Sequence, residues 1–178
     1  MASMTQRMLG AAKLDAATYE EVEADTTATP QAMLVVVLAS VASGLGVLRA
    51  VGVGGLLAGA LASLIGWYVW AFITYFVGTR FLPGPKTQAD MGQLLRTIGF
   101  SAAPGLIMVL GVIPGLYRPL FVVATVWMLV TMVVAVRQAL DYESTGRAVA
   151  VCVIGLIFRL LVLVLLSKLL GVPLDGAP

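Results

Sequence analysis

Histidine is absent from this chain of 178 residues, and cysteine occurs once, at Cys152. Without histidine the chain lacks the usual general base, the commonest metal ligand and the usual haem ligand. A single cysteine excludes an intramolecular disulfide, and its position in an apolar run is typical of an inert packing residue. We therefore predict no catalytic residue, no metal site and no cofactor.

Charged residues are scarce as well, at 11% of the chain against 60% hydrophobic residues. An ordinary soluble domain carries roughly a quarter charged residues, so a soluble fold of this size would leave too much apolar surface in water. The net charge of +2 comes from bases that stand singly between apolar runs. This pattern excludes a nucleic-acid-binding patch and points to a membrane protein.

Five apolar runs have lengths close to the roughly 20 residues that a membrane-spanning helix needs. They predict an all-α polytopic membrane protein, a bundle of five transmembrane helices formed by residues 30–172. Residues 1–29 then form a cytoplasmic N-terminal segment and 173–178 a short tail. The predicted spans are about 33–48, 56–78, 97–113, 119–136 and 148–170.

The N-terminal segment carries a helix signal, because Thr18 and Glu21 have the spacing of a capping box. We expect a short amphipathic helix to begin there and to lie along the membrane surface or along the bundle. Glycine and proline divide the remaining chain at 52–55, 83–85 and 114–115. Pro104 falls inside the third predicted span, where we expect a helix kink.

The basic residues also predict an orientation. The side that holds the N-terminus and the second and fourth loops has seven of them, and the other side has three. Because positive loops face the cytoplasm, we expect a multi-pass protein with a cytoplasmic N-terminus, in the cytoplasmic (inner) membrane of a bacterium.

Arg159 lies near the middle of the fifth predicted span, and no acidic residue lies within any predicted span. A charge at that depth costs at least a few kcal/mol, so a partner has to offset it. Arg159 is therefore an intramembrane candidate with two interpretations. It forms a substrate or lipid site, or it is a structural arginine that donates to backbone carbonyls.

Small residues follow one side of the second span at Gly55, Gly59, Ser63 and Gly66. Such a stripe allows helix backbones to approach closely, and we interpret it as a packing face. The pattern leaves open whether the neighbouring helix belongs to the same chain or to a second copy.

The acids of the chain are concentrated just before the first span, next to a tyrosine. One interpretation is a polar segment that is exposed to solvent just before the membrane. The other is a docking segment that binds a basic partner or the basic loops containing Arg80, Lys86, Arg96 and Arg137. The candidate docking residues are Tyr19, Glu20, Glu21, Glu23 and Asp25.

Four segments of the chain are typical of one protein family: 19–25, Pro83-Gly84-Pro85-Lys86-Thr87, 98–105 and 136–142. Together they resemble the Yip family of five-span membrane proteins, in its bacterial branch. The chain lacks the Asp-Leu-Tyr-Gly-Pro segment of eukaryotic members. The resemblance implies a five-helix Yip domain with a cytosolic N-terminus, related to proteins that interact with Rab-type GTPases.

The function favoured by these observations is that of a non-enzymatic membrane protein that organises membrane lipids or protein partners, as a monomer or a homo-oligomer. Two alternatives remain. One is a small transporter or channel that uses Arg159, and the other is an accessory subunit of a larger membrane complex. A membrane enzyme is the weakest hypothesis, because it would have to work through carboxylates or hydroxyls alone.

Overall fold

The fold is given by a computed structural model that describes residues 2–170, apart from the side chains of residue 159 and of residues 162–170. Within that part of the chain every regular element is helical. Short 3₁₀-helical segments lie at Thr26–Ala28 and Ala103–Val112, and a π-helical turn, Val77–Phe81, extends α4. The α-helices are α1 (Met4–Ala12), α2 (Ala16–Ala24), α3 (Thr29–Leu45), α4 (Leu48–Phe76), α5 (Met91–Phe100), α6 (Tyr117–Ala139) and α7 (Thr145–Leu170).

Four helical stretches in the described residues are long and apolar enough to cross a membrane: Thr26–Leu45, Leu48–Phe81, Met91–Val112 and Tyr117–Ala139. Helix α7 corresponds to the fifth predicted span, and its backbone runs for 26 residues. That length exceeds the roughly 20 residues required to cross a bilayer. The predicted all-α membrane bundle is confirmed.

The N-terminal segment contains two helices, one more than the sequence prediction. Ser3 caps α1, and Gln6 completes a capping box there. Helix α2 begins after Asp15, whose carboxylate accepts from the backbone N–H of Ala17. Thr18 is already inside that helix and donates its hydroxyl proton to Asp15, at 2.7 Å. The predicted capping box at Thr18 is therefore wrong, because an aspartate three residues earlier takes the capping role.

Helix α4 starts at Leu48, well before the predicted start at residue 56. The expected glycine-rich break is reduced to a single non-helical residue, Gly52, with φ +67°. Glycine adopts this left-handed conformation without a steric penalty, so the chain bends at one position and remains helical on both sides.

The third span begins at Met91, six residues before the predicted start. Its start is a capping box in which Asp90 accepts from the Gln93 backbone N–H at 2.9 Å. Gln93 in turn accepts from the Asp90 backbone N–H, at 2.6 Å. This reciprocal pair satisfies two of the free donors at a helix start, which is why the loop ends there.

Pro104, where a kink is predicted, lies at a change of helix type. Helix α5 ends at Phe100, and the 3₁₀ segment Ala103–Val112 continues the span. Proline has no N–H to donate to the carbonyl three residues earlier, that of Ser101. The hydroxyl of Thr131 donates to that carbonyl at 2.7 Å, so α6 supplies the missing hydrogen bond.

The third span packs closely against α3 through small residues. An added Cβ at Gly99 would lie 2.7 Å from the Cβ of Ala32, and one at Gly105 would lie 3.1 Å from the Cβ of Ala39. Both distances are shorter than ordinary van der Waals contacts. Small residues therefore allow the backbones of these two spans to approach each other, as is common in membrane helix bundles.

Candidate functional site

The polar residues that the structure brings together lie where the N-terminal segment packs on the bundle. Helices α1 and α2 form an antiparallel pair, here called the N-terminal hairpin (residues 2–25). Helix α2 packs on both α5 and α6, and it buries Tyr19 and Val22. The phenol of Tyr19 donates to the carbonyl of Ala11, which fastens α2 to α1.

Arg7 is the main polar link inside the hairpin, and its side chain is only 1% exposed. Its guanidinium donates to Asp25 at 2.7 Å, to Glu21 at 3.0 Å and to Gln31 at the start of α3 at 3.1 Å. A buried charge of this kind is stable only with such partners. Arg7 therefore joins α1, α2 and α3 at one point.

The two carboxylates of this cluster are held in their ionised forms. Hydrogen bonds from Thr27 and from Arg7 lower the pKa of Asp25 to about 2. The backbone N–H of Ala2 and the side chain of Arg7 lower the pKa of Glu21. Both groups therefore stay charged across the physiological pH range and serve as fixed partners of the arginine.

Arg96 on α5 provides a second link. It is buried, and its guanidinium donates to the carbonyls of Val22 and Glu23 at the C-terminal end of α2. Cations near a helix C-terminus are favoured because the last carbonyls lack partners within the helix. Arg96 is one of the four basic residues predicted to bind the acidic segment 19–25. It does contact that segment, through backbone oxygens.

Two side-chain amides complete the contact with the bundle. Gln93 on α5 donates to the carboxylate of Glu23 at 3.0 Å, and Gln138 on α6 donates to that of Glu20 at 3.1 Å. Glu20 and Glu23 therefore face the bundle, whereas Glu21 and Asp25 face Arg7.

An open polar pocket with a volume of about 410 Å³ lies between α2, the loop after α4, and the loop between α6 and α7. Four carboxylates line it, with two cations. We call it the polar pocket, and its lining consists of Glu20, Glu23, Ala24, Lys86, Gln93, Arg137, Gln138, Asp141, Tyr142 and Glu143.

Both cations of the polar pocket are already bound within the chain. Lys86 forms an exposed ion pair with Glu143, at 2.9 Å. Arg137 donates to the carbonyls of Tyr142 and Glu143 and so holds the loop after α6 in place. The remaining carboxylates, Glu20, Glu23 and Asp141, give the pocket an excess of negative charge.

The proton affinity of Glu23 is unusually high for a carboxylate. Its partial burial, followed in importance by the negative charge of Asp141, raises the pKa of Glu23 to about 7. Both effects disfavour the charged form of a carboxyl group. Glu23 therefore changes its charge close to neutral pH.

A second cavity of about 240 Å³ lies within the bundle, between α3, α4, α6 and the third span. Its lining is largely apolar, but it includes Ser40 and Ser63, whose hydroxyls are hydrogen bonded at 3.0 Å. This bond connects α3 to α4. None of the residues that line this cavity is charged.

Of the four predicted packing residues on α4, Ser63 reaches a neighbouring helix through that hydrogen bond. An added Cβ at Gly59 or Gly66 would meet no described atom within 4 Å, and one at Gly55 would meet only Val51 of its own helix. Within the described part of the chain, these glycines face outward. A neighbour from a second copy stays a prediction.

The side chain of Arg159 lies outside the described residues, so both interpretations of it stay predictions. Among the described side chains, no group of three or more His, Cys, Asp and Glu residues is arranged to hold a metal ion. Arg7 and Gln93 are not among the site residues that the sequence predicts. For Gln93 the Asp-x-x-Gln spacing of a capping box was the available signal, whereas Arg7 carries no local pattern.

A family model described as the Yip1 domain matches residues 16–166. No match was found among curated proteins or solved structures. The matched stretch begins at the first residue of α2, includes every residue of the polar pocket, and extends into α7. The resemblance noted in the sequence is therefore confirmed, and this chain belongs to the Yip1 domain family of multi-pass membrane proteins.

Proposed function

We propose that this protein is a non-enzymatic organiser of membrane partners that binds a basic segment of another protein at the polar pocket. The observation that carries the proposal is the charge of that pocket. Even without Glu23, whose pKa is about 7, the carboxylates of Glu20, Asp141 and Glu143 outnumber the cations Lys86 and Arg137. The N-terminus and the pocket face the cytoplasm in this proposal, as the distribution of basic residues favours.

The geometry suits a lysine or arginine side chain as the recognised group. The volume of about 410 Å³ lies in the range of small-ligand sites, roughly 300–1,000 Å³, and is far smaller than a docked domain. Glu20 and Asp141 are both exposed at its surface, so a cation can reach them without unfolding the hairpin. Lys86 is paired with Glu143 and Arg137 donates to backbone carbonyls, so among the described residues neither cation forms an ion pair with Glu20 or Asp141.

The walls of the pocket also make it a defined site. They come from α2, from the loop after α4, from Gln93 on α5, and from the end of α6 with the loop that follows it. Arg96, Gln93 and Gln138 fix α2 to the bundle. A preformed site loses less conformational entropy on binding than a mobile one.

The proposal is tested by native mass spectrometry of the protein extracted gently from its own membrane. The double variant Glu20→Gln/Asp141→Asn removes two negative charges from the pocket and preserves side-chain shape. We expect the wild type to retain a protein partner in a fixed stoichiometry and the variant to retain about tenfold less, which corresponds to about 1.4 kcal/mol of binding free energy.

The matched control is Thr26→Lys/Gln88→Lys, which changes the net charge by the same amount at two exposed positions outside the pocket lining. Retention in this control should equal that of the wild type. A bare monomer in every sample, or equal loss in both variants, would contradict the proposal.

A further inference from the structure

The N-terminal hairpin reaches deep along α6, as two contacts show. Glu20 of α2 meets Gln138 near one end of α6, whereas the carbonyl of Ala12, at the end of α1, accepts from the indole N–H of Trp127 at 2.7 Å. Eleven positions separate Gln138 from Trp127. At 1.5 Å per residue this is a distance of about 16 Å along the helix axis.

Trp127 is the eleventh of the 23 residues of α6, so the hairpin turn lies beside the middle of a membrane-spanning helix. The hydrocarbon core of a bilayer is about 30 Å thick, and one leaflet contributes about 15 Å of it. A hairpin that only rested on the membrane surface would contact the end of α6 and leave its middle to lipid.

The backbone of the turn is built for an environment without water. The last four carbonyls of a helix have no partner within it, and each costs several kcal/mol in hydrocarbon if it stays unpaired. In α1 all four have donors. Leu9 accepts from the N–H of Lys13, Gly10 from that of Asp15, Ala11 from that of Leu14 and from Tyr19, and Ala12 from Trp127.

The side chains around the turn continue the lipid-facing surface of the bundle. Leu9 is 55% exposed and Leu14 is 39% exposed, next to a stretch of α6 where Val126 is 56% exposed. Lys13 and Asp15 are also exposed at the turn. These charges require headgroups or water, whereas the leucines require acyl chains.

We propose that the N-terminal hairpin is embedded in the leaflet on the N-terminal side, with Leu9 and Leu14 in contact with acyl chains. Lys13 and Asp15 draw the lipid headgroups inward to the level of the hairpin turn. The leaflet is therefore thinner along this side of the protein. The partner is the lipid bilayer itself, and the inference does not depend on the proposed function.

The test uses spin labels on single cysteines in a Cys152→Ala background, reconstituted in vesicles of phosphatidylcholine and phosphatidylglycerol. The labelled positions are Leu14→Cys at the turn, Val126→Cys on α6 and Gln88→Cys in the loop after α4 as the aqueous control. Accessibility to oxygen and to a water-soluble nickel chelate gives the depth of each label. Leu9→Cys provides a second label near the turn in case Leu14→Cys, at a positive φ of 65°, does not fold.

We expect the labels at Leu14 and Val126 to be open to oxygen and protected from nickel, at similar depths only a few ångströms below the phosphates. The Gln88 label should be open to nickel. Nickel accessibility at Leu14 or Leu9 equal to that at Gln88 would overturn the embedding. A Val126 label at the bilayer centre, about 15 Å deep, would overturn the thinning.

Discussion

At the scale of single residues, a buried guanidinium determines how the N-terminal hairpin holds together. Arg7 pairs with Glu21 and Asp25 and also bonds to Gln31, yet its Nε has no partner among the described atoms. A buried charge is expensive to remove from water, and its remaining partners become uncompensated if it is deleted. The stability of the hairpin therefore depends on this residue more than on any exposed ion pair.

Arg7→Met is expected to loosen α1 from α2 and α3, because Glu21 and Asp25 lose the charge that offsets theirs. Hydrogen exchange of residues 4–12 in detergent should increase by more than tenfold, with little change in α5. The matched control is Lys86→Met, which breaks the exposed ion pair with Glu143. Solvent-exposed ion pairs contribute little to stability, so exchange in this control should equal that of the wild type. Equal exchange in the wild type and in Arg7→Met would refute the role of Arg7.

Glu23 gives the protein a pH dependence with a definite sign. Its pKa is raised from 4.5 to about 7 in the folded state, so the folded protein binds this proton more tightly than the unfolded chain. The associated stability is present below the unfolded pKa and is lost as the pH rises through about 7. We expect the wild type to melt at a higher temperature at about pH 5 than at about pH 8.

Glu23→Gln should remove most of this difference, because the amide stays neutral at both pH values. The carboxylates with lowered pKa, Glu21 and Asp25, act in the opposite direction and only at lower pH, because their stability is lost as the pH falls below their unfolded values. An undiminished pH dependence in Glu23→Gln would show that another group is responsible.

At the scale of secondary-structure elements, the packing of α3 on α5 depends on glycine at one crossing point. A methyl group at Gly99 would lie 2.7 Å from the Ala32 Cβ and 3.1 Å from backbone atoms of the same residue. Gly99→Ala should therefore destabilise the bundle by about 1–3 kcal/mol, measured by unfolding in mixed detergent micelles.

Gly66→Ala is the matched control for that measurement, since an added Cβ there would meet nothing within 4 Å in the described structure. Alanine favours a helix over glycine by roughly 0.5–1 kcal/mol, so this variant should be neutral or slightly more stable. If Gly66→Ala is the more damaging of the two in the membrane but not in detergent, a second copy packs on that face.

At the scale of the whole molecule, the distribution of basic residues predicts which loops lie on the same side of the membrane. In a Cys152→Ala background, Gln88→Cys and Ser144→Cys should react with an impermeant maleimide only from the cytoplasmic side. Ile113→Cys should react from the opposite side, because the third span separates it from Gln88. Labelling of all three from one side would contradict the predicted orientation.

The sequence alone determined the membrane class and the helical architecture, because composition and the length of apolar runs reflect the bilayer directly. The family was indicated separately, by the segments that resemble the Yip family. Local signals of a few residues, such as Asp90 with Gln93, were available as well and define helix ends. From the sequence, Pro104 was expected to interrupt the regular α-helix of the third span. Its form depended on Thr131, which is distant in the sequence and supplies a hydrogen bond to Ser101.

The tertiary structure decided what the polar residues do. Arg7 and Arg96 lie far apart in the sequence, and both hold α2 in place because the hairpin folds back on the bundle. The polar pocket likewise exists only where α2 meets two loops. The physical reason is that apolar periodicity determines which segments enter the membrane, whereas the pairing of buried charges depends on contacts between segments that no local pattern records.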